Sequence, residues 1–364
     1  MNNYSSALIN IEYCGTCHGT CKGCLMDESE RKETLPFLNK KQISTALHQI
    51  ATEFPESIGL DFSTLAFGRG NTLDLNDSNW EEINTLTQEY ITLFKPKTYA
   101  IECSTGLIGK IGTLVSTAKK RIAHSDPNLR FVVVANSDLF SETYWNNVDT
   151  FFHEMMQFRG GSNVDGNGDV LVLNLVADRL PDIDKLVPRL KDYPFPVNIA
   201  WLPLTINNTE KKTEVGHWLV DFITAMDKGA WDCNLLYLTQ AVLNNEPNLT
   251  TALEQHQNSY SWWINKEGQP IRSAFTVMGD VDFKRWNQKL NLQLPEQFIQ
   301  FYQKFSKIPS CRNCLWKNEC MAAGTFLHAV ASPQGATCPT GMDAVFQFLK
   351  NNPHQINPDN IKPH

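Results

Sequence analysis

Apolar positions along this chain fall into short runs and helical repeats that alternate from the start to well past the middle. The segment ALINIEY (7–13) reads as a strand. Ile43, Leu47, Ile50 and Phe54 recur at helical spacing, and the strand-like IGLDFSTLAF (58–67) follows them. Trp80, Ile83, Leu86 and Tyr90 mark another helix before TYAIEC (98–103), and a helix over 107–121 precedes RFVVVAN (130–136). A helix over 144–158 leads through the loop RGGSNVDGNGD to VLVLNLVA (170–177); a helix over 183–191 and a sixth strand, VNIAWLPL (197–204), come next. The amphipathic stretch from Glu214 to Met226 closes the series. Such alternation predicts an α/β fold of six β/α units, complete by about residue 227.

Length and composition narrow the partners. The 364 residues leave room for two or three domains and a sizeable core, and 42% hydrophobic with 20% charged residues excludes disorder as the main state. With 32 basic against 39 acidic side chains the formal charge is -7, which gives no general attraction to nucleic acid or anionic lipid. Apolar runs such as Phe131 to Ala135 and Val170 to Leu173 are far short of a membrane span. The first residues, MNNYSSALINIEYC, lack the basic and apolar regions of a secretory signal, so a cytoplasmic location is expected.

Cysteine spacing changes the picture most. A reducing compartment favours metal or redox roles over disulfides for the ten cysteines. Cys14, Cys17, Cys21 and Cys24 lie together near the start; Cys311, Cys314, Cys320 and Cys338 lie together near the end; Cys103 and Cys233 stand alone. Paired zinc ligands are normally separated by roughly 12–20 residues. The N-terminal pairs are too close for that without strain. The better parse is Cys17-x3-Cys21-x2-Cys24, three thiolates on one loop directly after the first strand. A 4Fe–4S cubane has four irons, so three thiolates leave one iron open to a substrate or cofactor.

On these residues the chain resembles the radical S-adenosylmethionine (SAM) superfamily. The resemblance implies a partial (β/α)6 TIM-type barrel, a SAM-binding 4Fe–4S cluster on Cys17, Cys21 and Cys24, and SAM itself. It implies reductive cleavage of SAM to a 5′-deoxyadenosyl radical that abstracts hydrogen from a substrate. The family's apolar residue before the third cysteine is replaced by Gly23, which shifts adenine packing to Leu25 or Met26. Further cofactor contacts follow by position at strand ends. Gly68-Arg69-Gly70-Asn71 occupies the place of the family's GGEP-like motif, without its Glu-Pro; Ser104-Thr105-Gly106 resembles the turn after the third strand; Asn136-Ser137-Asp138 resembles the segment whose Ser and Asp contact ribose and carboxylate. Ordinary turns use the same residue types.

The C-terminal cysteines are similar to part of a SPASM domain, found in relatives that mostly modify peptides and proteins. The hairpin that usually precedes it is matched by WWINKEGQPIRSAFTVMGDV, but Ser273 and Gly324 stand where two ligand cysteines are expected. In the family both missing positions serve one auxiliary cluster and the four retained cysteines serve the other. The resemblance therefore implies one auxiliary 4Fe–4S cluster on Cys311, Cys314, Cys320 and Cys338; a tetrahedral zinc site remains open for the same residues. The implied organisation is a barrel over 1–230, a connecting region with the hairpin over 231–305, a cluster region over 306–345 and an extended tail over 346–364.

Other residues have plainer readings. Cys103 at the end of the third strand is a candidate hydrogen donor, with a buried structural thiol as the commoner role. Asp165-x-Asn167-x-Asp169 lacks the glycine of a calcium loop, and the second loop's GRG lacks a dinucleotide fingerprint's third glycine. The partners implied are a peptide or protein substrate and a reductant such as flavodoxin or ferredoxin. Because the first strand begins too early for a leader-recognition module before it, a ribosomal peptide would be recognised by a separate leader-peptide-binding protein, by the insertion over about 228–305, or by the aromatic-rich stretch with Trp262, Trp263 and Trp286, residues that more often serve packing. Two other classes stay open: a radical enzyme of small molecules, and a non-catalytic iron–sulfur or zinc protein.

Overall fold

A computed structural model describes residues 5–17, 19, 28–53, 60–136, 140–160, 168–175, 180–191, 197–201, 209–226, 260–273, 303–322, 338 and 341–352. Its first half repeats one unit. Strands β1 (Ser5–Cys14), β2 (Leu60–Arg69), β3 (Ala100–Thr105), β4 (Leu129–Asn136), β5 (Val170–Leu175) and β6 (Val197–Trp201) alternate with helices. Those helices are α1 (Glu28–Lys32), α2 (Lys40–Glu53), α3 (Asp77–Phe94), α4 (Ile111–Ala123), α5 (Glu142–Phe158), α6 (Ile183–Lys191) and α7 (Thr209–Met226). Consecutive strands pair in parallel from β1 to β6. The fold is α/β and its sheet does not close.

The helical periods locate the core. Trp80, Ile83, Leu86 and Tyr90 are the buried stripe of α3, whose start is capped by the Asn76 side chain accepting from the Asn79 N–H at 3.0 Å. Each such fully buried side chain contributes about 1.5–3 kcal/mol. On β3 and β4 one face is wholly buried: Ile101, Cys103 and Thr105, then Leu129, Phe131, Val133 and Ala135. Phe131 packs edge-on against Trp80 and Phe151, so this face looks toward the helices and the alternate residues look into the barrel. Asp169, before β5, accepts from the Phe131 N–H at 2.7 Å and pairs with Arg159 at 3.0 Å, tying the lower ends of β4 and β5 to α5.

The hairpin does something local periodicity could not reveal. Its strands, β7 (Tyr260–Ile264) and β8 (Pro270–Ser273), extend the barrel sheet, giving the order β6-β5-β4-β3-β2-β1-β7-β8. β7 lies parallel to β1, with Trp262 opposite Ile9 and Trp263 opposite Asn10. Trp262 is buried against Phe62 at 5.5 Å and Trp263 is buried beside it, so both are packing residues; Trp286 lies outside the described residues. Gly268 turns the hairpin at φ 79°, a conformation that favours glycine.

Among the described residues the C-terminal region carries the short helices α8 (Pro309–Arg312), α9 (Lys317–Ala322) and α10 (Asp343–Asn351). Residues 346–351, expected as tail, belong to α10, which buries Val345, Phe346 and Leu349. A Cβ on Gly216 of α7 would stand 1.8 Å from the Gly341 carbonyl oxygen, so this region sits directly on the last barrel helix. Among the described residues no helix is long and apolar enough to cross a membrane.

Candidate active site

Parallel pairing brings the C-terminal ends of β1, β2, β3 and β7 to one edge, where the cysteine loop begins. The Gly70 N–H donates to the Cys14 carbonyl at 2.8 Å and the Asn71 N–H to the Thr16 carbonyl at 2.6 Å. No side chain fits between these backbones: a Cβ on Gly70 would stand 2.6 Å from the Thr16 oxygen and 2.7 Å from the Gly15 carbonyl carbon. On its other side the loop is held by α1 and the turn after it. The Cys17 N–H donates to Arg31 O at 3.1 Å, and the Thr16 hydroxyl to Glu33 O at 2.7 Å.

The second and third strand ends are joined in the same way. Ser104 Oγ donates to the Gly70 carbonyl at 2.8 Å, and Thr72 Oγ1 donates to the Ser104 carbonyl at 2.8 Å. Thr105 Oγ1 donates to Asn71 Oδ1 at 2.6 Å, with both side chains buried. Gly68, Gly70, Asn71, Ser104 and Thr105 are thus one constellation. Within it the roles divide: Asn71 and Thr105 face each other and set the loop, whereas Gly68, Gly70 and Ser104 present backbone and hydroxyl at the edge. Arg69 pairs through its backbone with Cys14. Thr72, fully buried and bonded to Ser104, was missed; only its place directly after Asn71 signals it.

Cys17 Sγ accepts from the Gly19 N–H at 3.3 Å, an N–H···S contact that suits a thiolate ligand. Cys21 and Cys24, Gly23, Leu25 and Met26 lie outside the described residues, as do Ser137 and Asp138.

Cys103 occupies a different place from a hydrogen donor at the barrel mouth. It shares the helix-facing side of β3 with Ile101 and Thr105 and is completely buried. Burial, then the nearby Cys14, pushes its thiol well above the ordinary range. Cys14 is pushed up to about 12, chiefly by burial. Both thiols therefore stay protonated at neutral pH. Native protein treated with N-ethylmaleimide at about pH 7.5 is expected to leave Cys14 and Cys103 unlabelled until it is unfolded, as peptide mass mapping would read.

The hairpin turn reaches this edge from far along the chain. The Lys266 N–H donates to Glu12 Oε2 at 2.9 Å and its Nζ to Glu30 Oε1 at 2.8 Å. At 236 residues' separation, the second contact leaves no local sequence signal.

Of the four C-terminal cysteines, Cys311 lies in α8, Cys314 between α8 and α9, Cys320 in α9 and Cys338 before α10. Burial raises Cys311 to about 11 while the Ser310 hydroxyl opposes it; Cys338 and Cys314 are close enough to raise it further by charge. Cys314 is raised by burial, opposed by the Trp316 N–H that donates to its sulfur at 3.4 Å, with Cys338 and Asp343 adding to the rise. The Trp316 N–H and the clustered thiols fit an iron–sulfur cluster, whose sulfurs accept such hydrogen bonds. Among the described residues no three His, Cys, Asp or Glu side chains converge as ligands of a single ion would. A cubane does not require that, because each thiolate binds a different iron.

No family model and no curated protein matches the chain. Solved structures do. A histidine-tagged anSMEcpe with bound AdoMet superposes over 97% of this chain and 100% of its own, at a TM-score of 0.58 and 11% identity. Native anSMEcpe with bound AdoMet covers 96% of this chain and 98% of its own at a TM-score of 0.57 and 10% identity. A third structure, native anSMEcpe with AdoMet and the Cp18Cys peptide, covers 96% and 97% at 0.54 and 11% identity. anSMEcpe is a radical SAM enzyme with a SPASM domain. The chain shares the fold of this enzyme. That fold spans both cysteine groups, and it accounts for the open sheet and for the C-terminal helices carried beside it.

Proposed function

We propose that this protein is a radical SAM enzyme that acts on a C–H bond of a peptide or protein. The observation that carries the reading is the joining of the glycine loop after β2 and Ser104 after β3 to the cysteine loop, within a fold shared end to end with AdoMet-bound structures. A peptide-bound member of that set supports the substrate class.

The chain's own residues would divide the work as follows. Cys17, Cys21 and Cys24 hold the SAM-binding 4Fe–4S cluster and leave one iron for SAM. When bound, cluster and SAM supply a 5′-deoxyadenosyl radical able to abstract hydrogen. Gly68 and Gly70 let backbone carbonyls approach the ammonium group of SAM. Ser104 fixes the Gly70 carbonyl, the Asn71–Thr105 bond fixes the loop, and Arg69, Ser137 and Asp138 complete the contacts. Positioning is the protein's main contribution, since hydrogen transfer needs a target carbon about 3–4 Å from the radical. Cys311, Cys314, Cys320 and Cys338 hold one auxiliary 4Fe–4S cluster; with every iron ligated it serves electron transfer or bracing rather than substrate binding. Flavodoxin or ferredoxin supplies the electron, and a separate protein presents the leader of a ribosomal peptide.

Anaerobic reconstitution tests this. The protein is expected to hold about eight irons as two cubanes, and with dithionite to convert SAM to 5′-deoxyadenosine. Filled clusters without cleavage would favour a non-catalytic iron–sulfur protein.

A further inference from the structure

The inner face of the barrel carries a polar layer that the cofactor contacts do not use. Asn10 of β1 stands opposite Ala66 of β2, Ala66 opposite Glu102 of β3, and Glu102 opposite Arg130 of β4. All four lie on the face away from the helices, since their neighbours Ile9, Ile11, Leu65, Phe67, Cys103 and Phe131 form the buried opposite side. One layer nearer the strand ends come Glu12, Gly68 and Ser104, so the polar layer lies directly beneath the proposed SAM contacts.

Its members differ in how their polar atoms are used. Arg130 donates to Glu102 from Nε at 3.0 Å and again from Nη2. Glu12 accepts from the Lys266 N–H. Asn10 is 5% exposed, and its Nδ2 is buried with no hydrogen-bond partner. Buried amide groups are nearly always paired, because an unmet donor pays its full desolvation cost. An orphan donor on the inner wall of a substrate-processing barrel marks a place where a partner arrives from outside.

We propose that Asn10 binds the carbonyl oxygen of a neutral amide in the peptide substrate, and so selects an Asn or Gln side chain at this depth. The inference rests on the reading of the chain as a peptide-acting radical SAM enzyme and adds the group it recognises. Charge decides between acceptors. Among the described residues this face carries two carboxylates, Glu12 and Glu102, against one guanidinium, Arg130, which disfavours an anionic guest and leaves a neutral carbonyl as the fitting acceptor.

The test uses the reconstituted holoenzyme with dithionite, SAM and pools of short acetylated, amidated peptides whose fixed central residue is Asn, Gln, Asp, Glu or Leu. The readout is 5′-deoxyadenosine formed above the peptide-free rate. Asn and Gln pools are expected to exceed Leu pools by about tenfold, the range of one hydrogen bond to a buried donor. Asp and Glu pools should stay low through the two carboxylates on this face, with or without Asn10. Asn10→Leu should bring the Asn-to-Leu ratio to about one. The ratio is taken within each protein, so lower cluster content or stability cancels. An Asn-to-Leu ratio unchanged in the variant, or near one in the wild type, would overturn the assignment. Complete absence of SAM cleavage with and without peptide overturns the radical reading itself, an outcome distinct from cleavage that ignores the central residue.

Discussion

Replacing Cys17, Cys21 and Cys24 together by alanine is expected to abolish SAM cleavage while leaving about half of the reconstituted iron, about four of about eight atoms, in place. The two cysteine groups have separate supports, which is why the loss should be selective. The N-terminal loop is held by β2 and α1 through Cys14, Thr16 and Cys17 backbone bonds. The C-terminal cysteines lie on and beside α8 and α9, which meet α10 where Trp316 packs on Phe346 at 6.0 Å, and α10 in turn packs on α7. Iron analysis and the electron paramagnetic resonance of the dithionite-reduced variant check the count. A variant that still makes 5′-deoxyadenosine, or one that loses all of its iron, would contradict the assignment of ligands to two independent sites.

Gly70→Ala is expected to lower SAM cleavage by about a hundredfold, the order of effect that a misplacement of roughly 1 Å has on a reacting pair. The added methyl would meet the backbone of Gly15 and Thr16, which cannot swing aside as a side chain can. The β2 loop must move off the cysteine loop, and its carbonyl then leaves Ser104. Overpacking of this kind costs about 1–3 kcal/mol of stability, a modest loss beside the catalytic one. Gly112→Ala is the matched control, because nothing lies within 4 Å of its added carbon in α4. Cleavage rates and SAM dissociation constants measured on both proteins separate the two cases. Equal rates would show that contact between the loops is dispensable.

Much of this was legible in the residue order because each β/α unit buries its own local stripe. Trp80, Ile83, Leu86 and Tyr90 announce α3 without reference to anything distant, and the strand-end motifs sit where parallel topology must gather them. Long-range pairing was not legible. Nothing near Trp262 says that it will lie beside Ile9, since the register follows from a backbone edge rather than from a side-chain period. Strand-end position alone misled for Cys103: it suggested the mouth, whereas parity with Ile101 places the thiol among the helices, in the buried structural role that was the commoner reading. For α10, the apolar spacing of Val345, Phe346 and Leu349 was present, and the prolines that follow drew attention to an extended end instead.

The position of β7 also governs how the sheet can grow. Closing a ring of strands would require β6 to find the outer edge of β1, and β7 already occupies it. With both sides of β1 taken, a further strand could hydrogen-bond only beside β6 or β8, at the two ends of the order.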